Sequence, residues 1–100
     1  MKVIIRERAA DDVDRIYSWI ARDNPRAASE IVARIRQRIK QLELNSLTYM
    51  GRPGLVEGTR ELVALPYIIV YSVDEERHEI SVLAIFHEAQ ARRPNDIGQE

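Results

Sequence analysis

The sequence has no cysteine. That excludes disulfides, thiolate zinc sites, iron–sulfur clusters and cysteine nucleophiles, and it makes a reducing cytoplasm the expected compartment. Histidine is almost as scarce, with only His78 and His87, so a multi-histidine metal centre is ruled out. No run approaches the ~20 apolar residues of a membrane span. The start, Met1-Lys2-Val3-Ile4-Ile5-Arg6, returns to charge too soon for a secretory leader. Glycine is sparse, and no glycine-rich turn links a strand to a helix, so phosphate-loop and dinucleotide fingerprints are missing. Gly-x-Ser-x-Gly and His-Glu-x-x-His are missing too. No cofactor and no metal are expected.

What remains is an ordinary globular balance: 100 residues, 45% hydrophobic and 31% charged, enough for one domain over residues 1–100. The net charge of −1 conceals a polarity. Residues 1–25 are neutral, residues 26–60 carry a surplus of +4, and residues 61–100 carry −5. Lysine is nearly replaced by arginine, thirteen against two. Guanidinium forks suit carboxylates and phosphates and tolerate partial burial, so an arginine-lined surface facing an acidic partner is one reading, and codon bias the other.

Lys2 to Arg6 reads as a strand. From Ala9 the period changes: Ala9, Val13, Ile16, Tyr17 and Ile20 form one helical stripe, with Asp11, Asp12 and Asp14 expected in the first turn against the helix dipole. Trp19 lies at the rim of that stripe. Asn24-Pro25 caps and opens a second helix, whose Ala28, Ile31, Val32, Ile35, Ile39 and Leu42 share a face. About three residues join the helices, so they fold back as an antiparallel hairpin. Asn45 to Gly58 reads as a loop with a turn at Gly51-Arg52-Pro53-Gly54. Three strands follow, Thr59 to Ala64, Tyr67 to Val73 and Ile80 to Phe86, their short connections implying an antiparallel meander. The expectation is an α+β fold: an N-terminal strand and a helical hairpin on one face of a small, mainly antiparallel sheet, with residues 94–100 loose.

One chemical constellation stands out. Arg52, Arg60 and His87 are expected to meet at the open end of the sheet. There an imidazole beside guanidinium groups would suit RNA cleavage, the base activating a ribose hydroxyl and the arginines stabilising the phosphorane. The alternative has Arg60 paired with Glu57 or Glu61 and His87 capping a strand.

The strand and hairpin, then Gly51-Arg52-Pro53-Gly54, Gly58-Thr59-Arg60-Glu61-Leu62, Pro66-Tyr67-Ile68-Ile69-Val70-Tyr71 and Leu83-Ala84-Ile85-Phe86-His87, resemble the ParE/RelE toxin superfamily over about residues 2–94. These are toxins of bacterial type II toxin–antitoxin, plasmid-stabilisation modules. The resemblance implies one of two activities on a shared fold: ParE-type inhibition of DNA gyrase, or RelE-type cleavage of messenger RNA on the ribosome. In ribonuclease members a basic sheet and a terminal His-Tyr serve catalysis. Here Arg60 and His87 match such positions, but Glu88 follows the histidine and residues 61–100 are acidic, where ribosomal RNA calls for a basic surface. The resemblance therefore favours a non-enzymatic gyrase inhibitor, with Arg52, Arg60 and His87 as catalytic residues in the ribonuclease alternative. It also implies a ParD-like antitoxin with an acidic C-terminal segment, held in a hetero-oligomer, and Tyr17, Trp19, Arg34 and Arg38 are its expected anchors.

Overall fold

The computed structural model of the protein describes residues 1–90, and the expected loose tail, 94–100, lies outside the described residues. In chain order the elements are β1 (Lys2–Ile5), α1 (Glu7–Ala21), α2 (Pro25–Gln41), β2 (Arg52–Pro53), β3 (Thr59–Ala64), β4 (Tyr67–Asp74) and β5 (Glu79–His87). The strands form one sheet in the order β1-β5-β4-β3-β2. β1 runs parallel to β5, and every other pairing is antiparallel.

The hairpin forms where its punctuation dictates. Asn24 Oδ1 accepts the Ala27 amide at 3.1 Å, and Pro25 supplies a first helical residue that has no amide to satisfy. α1, however, begins at Glu7, one turn earlier than a dipole role for Asp11, Asp12 and Asp14 requires. Those carboxylates therefore sit past the first turn, and Asp12 turns inward.

Gly51-Arg52-Pro53-Gly54 is not a free turn. Arg52 and Pro53 pair with Glu61 and Arg60 as a two-residue edge strand, closed by the Gly54 amide donating to Thr59 O at 2.9 Å. Pro53 lacks an amide, which an outermost strand tolerates. Gly51 is needed for proximity: a Cβ there would lie 2.8 Å from Glu61 O and from the Tyr71 ring and hydroxyl.

The helices cover one face of the sheet, α1 over β5 and α2 over β3 and β4. Ala9, Val13, Ile35, Ile39, Leu62, Ile69, Tyr71, Ile80 and Val82 form the core between them. Each fully buried isoleucine there contributes about 1.5–3 kcal/mol relative to exposure. A bulge lets β5 serve both faces. Val70 pairs with Ala84 while Tyr71 pairs with Val82, so Leu83 has no partner and the alternation reverses. Ile80 and Val82 before it, and Ile85 after it, all join the helix-side core, whereas Ala84 and Phe86 pack with Val70 on the opposite face.

Candidate functional site

Both unequal edges of the sheet are closed by side chains from the hairpin. β1 covers β5 only as far as Val82. Beyond it, the Ile85 amide points out of the sheet and donates to Asp12 Oδ2 at 2.9 Å. Asp12 is only 4% exposed, and its charge is balanced by Arg8, whose Nε lies 3.2 Å away, and by Arg15. At the other edge, β2 ends where β3 continues. There Arg38 Nε donates to Val63 O at 3.2 Å and Arg34 to Leu65 O at 3.0 Å. A guanidinium has five donors and no acceptor, so it can occupy edge carbonyls while repelling any strand that would pair through them.

These contacts divide the expected antitoxin anchors. Arg34 and Arg38 lie on the α2 flank beside β3 with donors engaged by backbone carbonyls. Tyr17 and Trp19 are two residues apart on α1, so they project about 200° from each other. Trp19 is 69% exposed and Tyr17 41%, so Trp19 is an open surface residue rather than a half-buried rim. The four residues do not make one patch.

Trp19 instead walls a cleft of about 340 Å³ between α1 and the end of β5, which Arg8, Asp12, Arg15, Tyr67 and His87 help to line. The bulge at Leu83 is what aims His87 to this side, where it meets Tyr67 edge-on with centroids 5.4 Å apart. Burial holds the Tyr67 phenol above its ordinary range. His87 Nδ1 accepts the Ala89 amide at 3.0 Å, a local strand-end cap. Arg8 stacks on Phe86 at 5.3 Å, and Arg22 stacks on Trp19 at 5.4 Å. Of these residues only Trp19 and His87 were candidate site residues in the sequence. The missed signal was the spacing of Arg8, Arg15 and Arg22, since residues seven apart return to within about 20° on a helix.

The Arg52, Arg60 and His87 constellation does not assemble. Arg60 pairs with Tyr71 and His87 with Tyr67, four residues along β4, with β4 between their strands. That places them about 13 Å apart along the strands and about 10 Å across. The Arg60 guanidinium is engaged elsewhere: it donates to Tyr49 O and Gly51 O and stacks on the Tyr49 ring at 5.6 Å. Its expected carboxylate partners are not used. Glu61 is engaged by Arg52 instead, at 3.2 Å. Arg52 and Arg60 therefore sit on adjacent strands but on opposite faces of the sheet, each engaged locally, and His87 belongs to the α1 cleft. Among the described residues no group of three or more histidine, aspartate or glutamate side chains could hold a metal ion, and no helix is long and apolar enough to cross a membrane.

Known proteins share this fold. A chain of the chromosomal ParDE toxin–antitoxin system from P. aeruginosa superposes with a TM-score of 0.76 and 29% identity, over 87% of this chain and 95% of that one. A chain of the RelBE2 toxin–antitoxin complex from Mycobacterium tuberculosis superposes with a TM-score of 0.56 at 20% identity, over 86% and 95%, a likeness of fold alone. The Sinorhizobium fredii protein named "Putative toxin Y4kP" is 36% identical over 85 residues, 83% of each chain. The sequence profile of the ParE toxin of the type II toxin–antitoxin system parDE matches residues 3–92. With an edge-sealed sheet under a helical hairpin and this match across nearly its whole length, the chain belongs to the ParE toxin family of type II toxin–antitoxin systems.

Proposed function

We propose that this toxin acts without catalysis, by inhibiting DNA gyrase, and that a ParD-like antitoxin with an acidic C-terminal segment neutralises it in a cytoplasmic hetero-oligomer. The observation carrying the choice of target is the separation of Arg60 from His87 on the sheet. General acid–base cleavage of a ribose phosphodiester needs the base and the phosphorane-stabilising cations within hydrogen-bond reach of one phosphate. Here the arginine is turned onto backbone carbonyls and the imidazole onto the Ala89 amide. The acidic balance of residues 61–100 also opposes a ribosomal RNA surface. Likeness to a chain of the P. aeruginosa ParDE system supports an antitoxin of the ParD kind. Of the expected anchors, Trp19 and Tyr17 offer open aromatic surface. Arg34 and Arg38 would have to exchange the Leu65 and Val63 carbonyls for carboxylates of the partner.

Purified toxin added to a gyrase supercoiling reaction should suppress supercoiling or trap cleaved DNA, and antitoxin should reverse the effect. In parallel, translating ribosomes treated with the toxin should retain intact message. Cut message that disappears with His87→Ala, alongside unaffected gyrase, would replace this reading with the ribonuclease one.

A further inference from the structure

We propose that the cleft between α1 and the end of β5 receives an acidic peptide segment, which seats one apolar side chain against Trp19 and lays carboxylates along Arg15 and Arg22. This inference rests on the toxin–antitoxin reading above and adds to it a location and a chemistry for the partner's anchor.

Three observations converge. First, Trp19 is the one tryptophan in the sequence and is 69% exposed, yet it stands between concavities rather than on a flat surface. The cleft with His87 and Tyr67 lies on one side, and a shallower depression reaching Ser18 and Arg22 lies on the other. A ring walling a cleft of about 340 Å³ can close over a single bulky side chain, and tryptophan and arginine are the residue types that dominate interface energetics.

Second, the charge is one-sided. Arg8, Arg15 and Arg22 recur every seven residues and so line one flank of α1. Asp12 is the one carboxylate lining the cleft among the described residues, and it is already held by the Ile85 amide and two arginines. The Arg15 side chain is 67% exposed, with donors left for an incoming carboxylate. Arg22 is exposed and stacks on the Trp19 ring, beside the place where an anchor would enter.

Third, the cationic strip is narrow. Asp14 borders the depression beyond Trp19, and Asp23 lies beside Arg22. A nucleic-acid strand carries a charge at each nucleotide and would be pressed against these carboxylates. A peptide can space its own acids to avoid them, and a segment that orders on binding can wrap the helix flank while burying its anchor. Charge complementarity therefore selects a peptide.

The lone tryptophan makes the cleft its own reporter. The toxin would be titrated with its proposed ParD-like antitoxin, any partner tryptophan replaced by phenylalanine, and followed by calorimetry, Trp19 emission and acrylamide quenching. A blue shift and a several-fold loss of quenching are expected on binding. Trp19→Ala should weaken the complex at least about thirtyfold, the range of an aromatic anchor. Arg15→Glu should weaken it about tenfold or more at low salt, while Arg36→Glu, on exposed α2 surface, should leave it within threefold. Tight binding with Trp19 as open to acrylamide as in the free toxin would overturn the cleft and leave the toxin–antitoxin reading intact. Protection of Trp19 by a short oligouridylate and not by antitoxin would assign the cleft to nucleic acid and overturn the peptide. Failure of the wild-type toxin to bind antitoxin at all would remove the underlying reading, and this inference with it.

Discussion

The Asp12 carboxylate accepts the Ile85 amide at 2.9 Å and thereby seals the part of β5 that β1 is too short to cover. The two lie 73 residues apart in sequence, so this side-chain bond ties α1 directly to the sheet on which its core face packs. Asp12→Ala would strand a buried amide and leave Arg8 and Arg15 without their shared counter-charge. A loss of about 2–4 kcal/mol is expected, because breaking one partner of a buried ion pair costs more than the pair contributes. Asp12→Asn keeps a carbonyl for Ile85 and should lose about half as much. Urea unfolding of the two variants separates the amide from the charge, and equal losses would mean that the ion pairs carry the whole effect.

The approach of the 48–51 segment to β4 offers a second test. Gly51 N donates to the Tyr71 hydroxyl at 3.0 Å, which donates onward to Thr48 O at 2.9 Å. Because Tyr71 is fully buried, Gly51→Ala must displace either its ring or β3 and should cost about 1–3 kcal/mol. Tyr71→Phe strands the Gly51 amide and Thr48 carbonyl and should cost about 1–2 kcal/mol. Both variants disturb one contact, so the double variant should lose clearly less than the sum in a thermodynamic cycle.

The hairpin and the three-strand meander were legible because each rests on local rules. Asn24-Pro25 fixes a helix start, and the apolar periods of α2 and β4 fix their faces. What escaped was set by partners distant in the chain. β2 is two residues long, and Arg52-Pro53 between glycines carries no strand period of its own; only Glu61 and Arg60 across from it make it a strand. Asp12 looks like any acid near a helix start until β5 delivers the Ile85 amide. The bulge at Leu83 has no signature within Ile80-Ser81-Val82-Leu83-Ala84-Ile85-Phe86, yet it decides that His87 faces α1. Without the register of β4, nothing in the sequence could place Arg60 and His87 far apart.

Arg34 and Arg38 should behave as guards of the β3 edge. Removing Arg38, which also donates to Gln41 Oε1 at 2.7 Å, should cost about 1 kcal/mol, and removing the more exposed Arg34 less. The double alanine variant uncovers the Val63 and Leu65 carbonyls beside a two-residue edge strand. It should therefore self-associate at concentrations where the parent is unassociated, as seen by sedimentation velocity. A variant equally unassociated and equally stable would show that these bonds are incidental.

Alkaline titration should single out Tyr67. Its phenol is raised above the usual value of about 10 by burial, whereas Tyr49, on the surface, is raised first by its hydrogen bond to Glu75. A group whose folded pKa exceeds its unfolded one holds its proton more tightly in the native state. The stability from Tyr67 is thus complete below pH of about 10 and is lost as pH rises through the folded value. Tyr67→Phe cannot ionise, so its unfolding free energy should fall less steeply in that window than the parent's. Glu75→Gln should return Tyr49 toward ordinary phenol behaviour without moving Tyr67, as tyrosinate absorbance would report. A Tyr67→Phe variant with the parent's alkaline slope would mean that the phenol beside His87 reaches water freely, and that the inner wall of the α1 cleft is wetter than its packing implies.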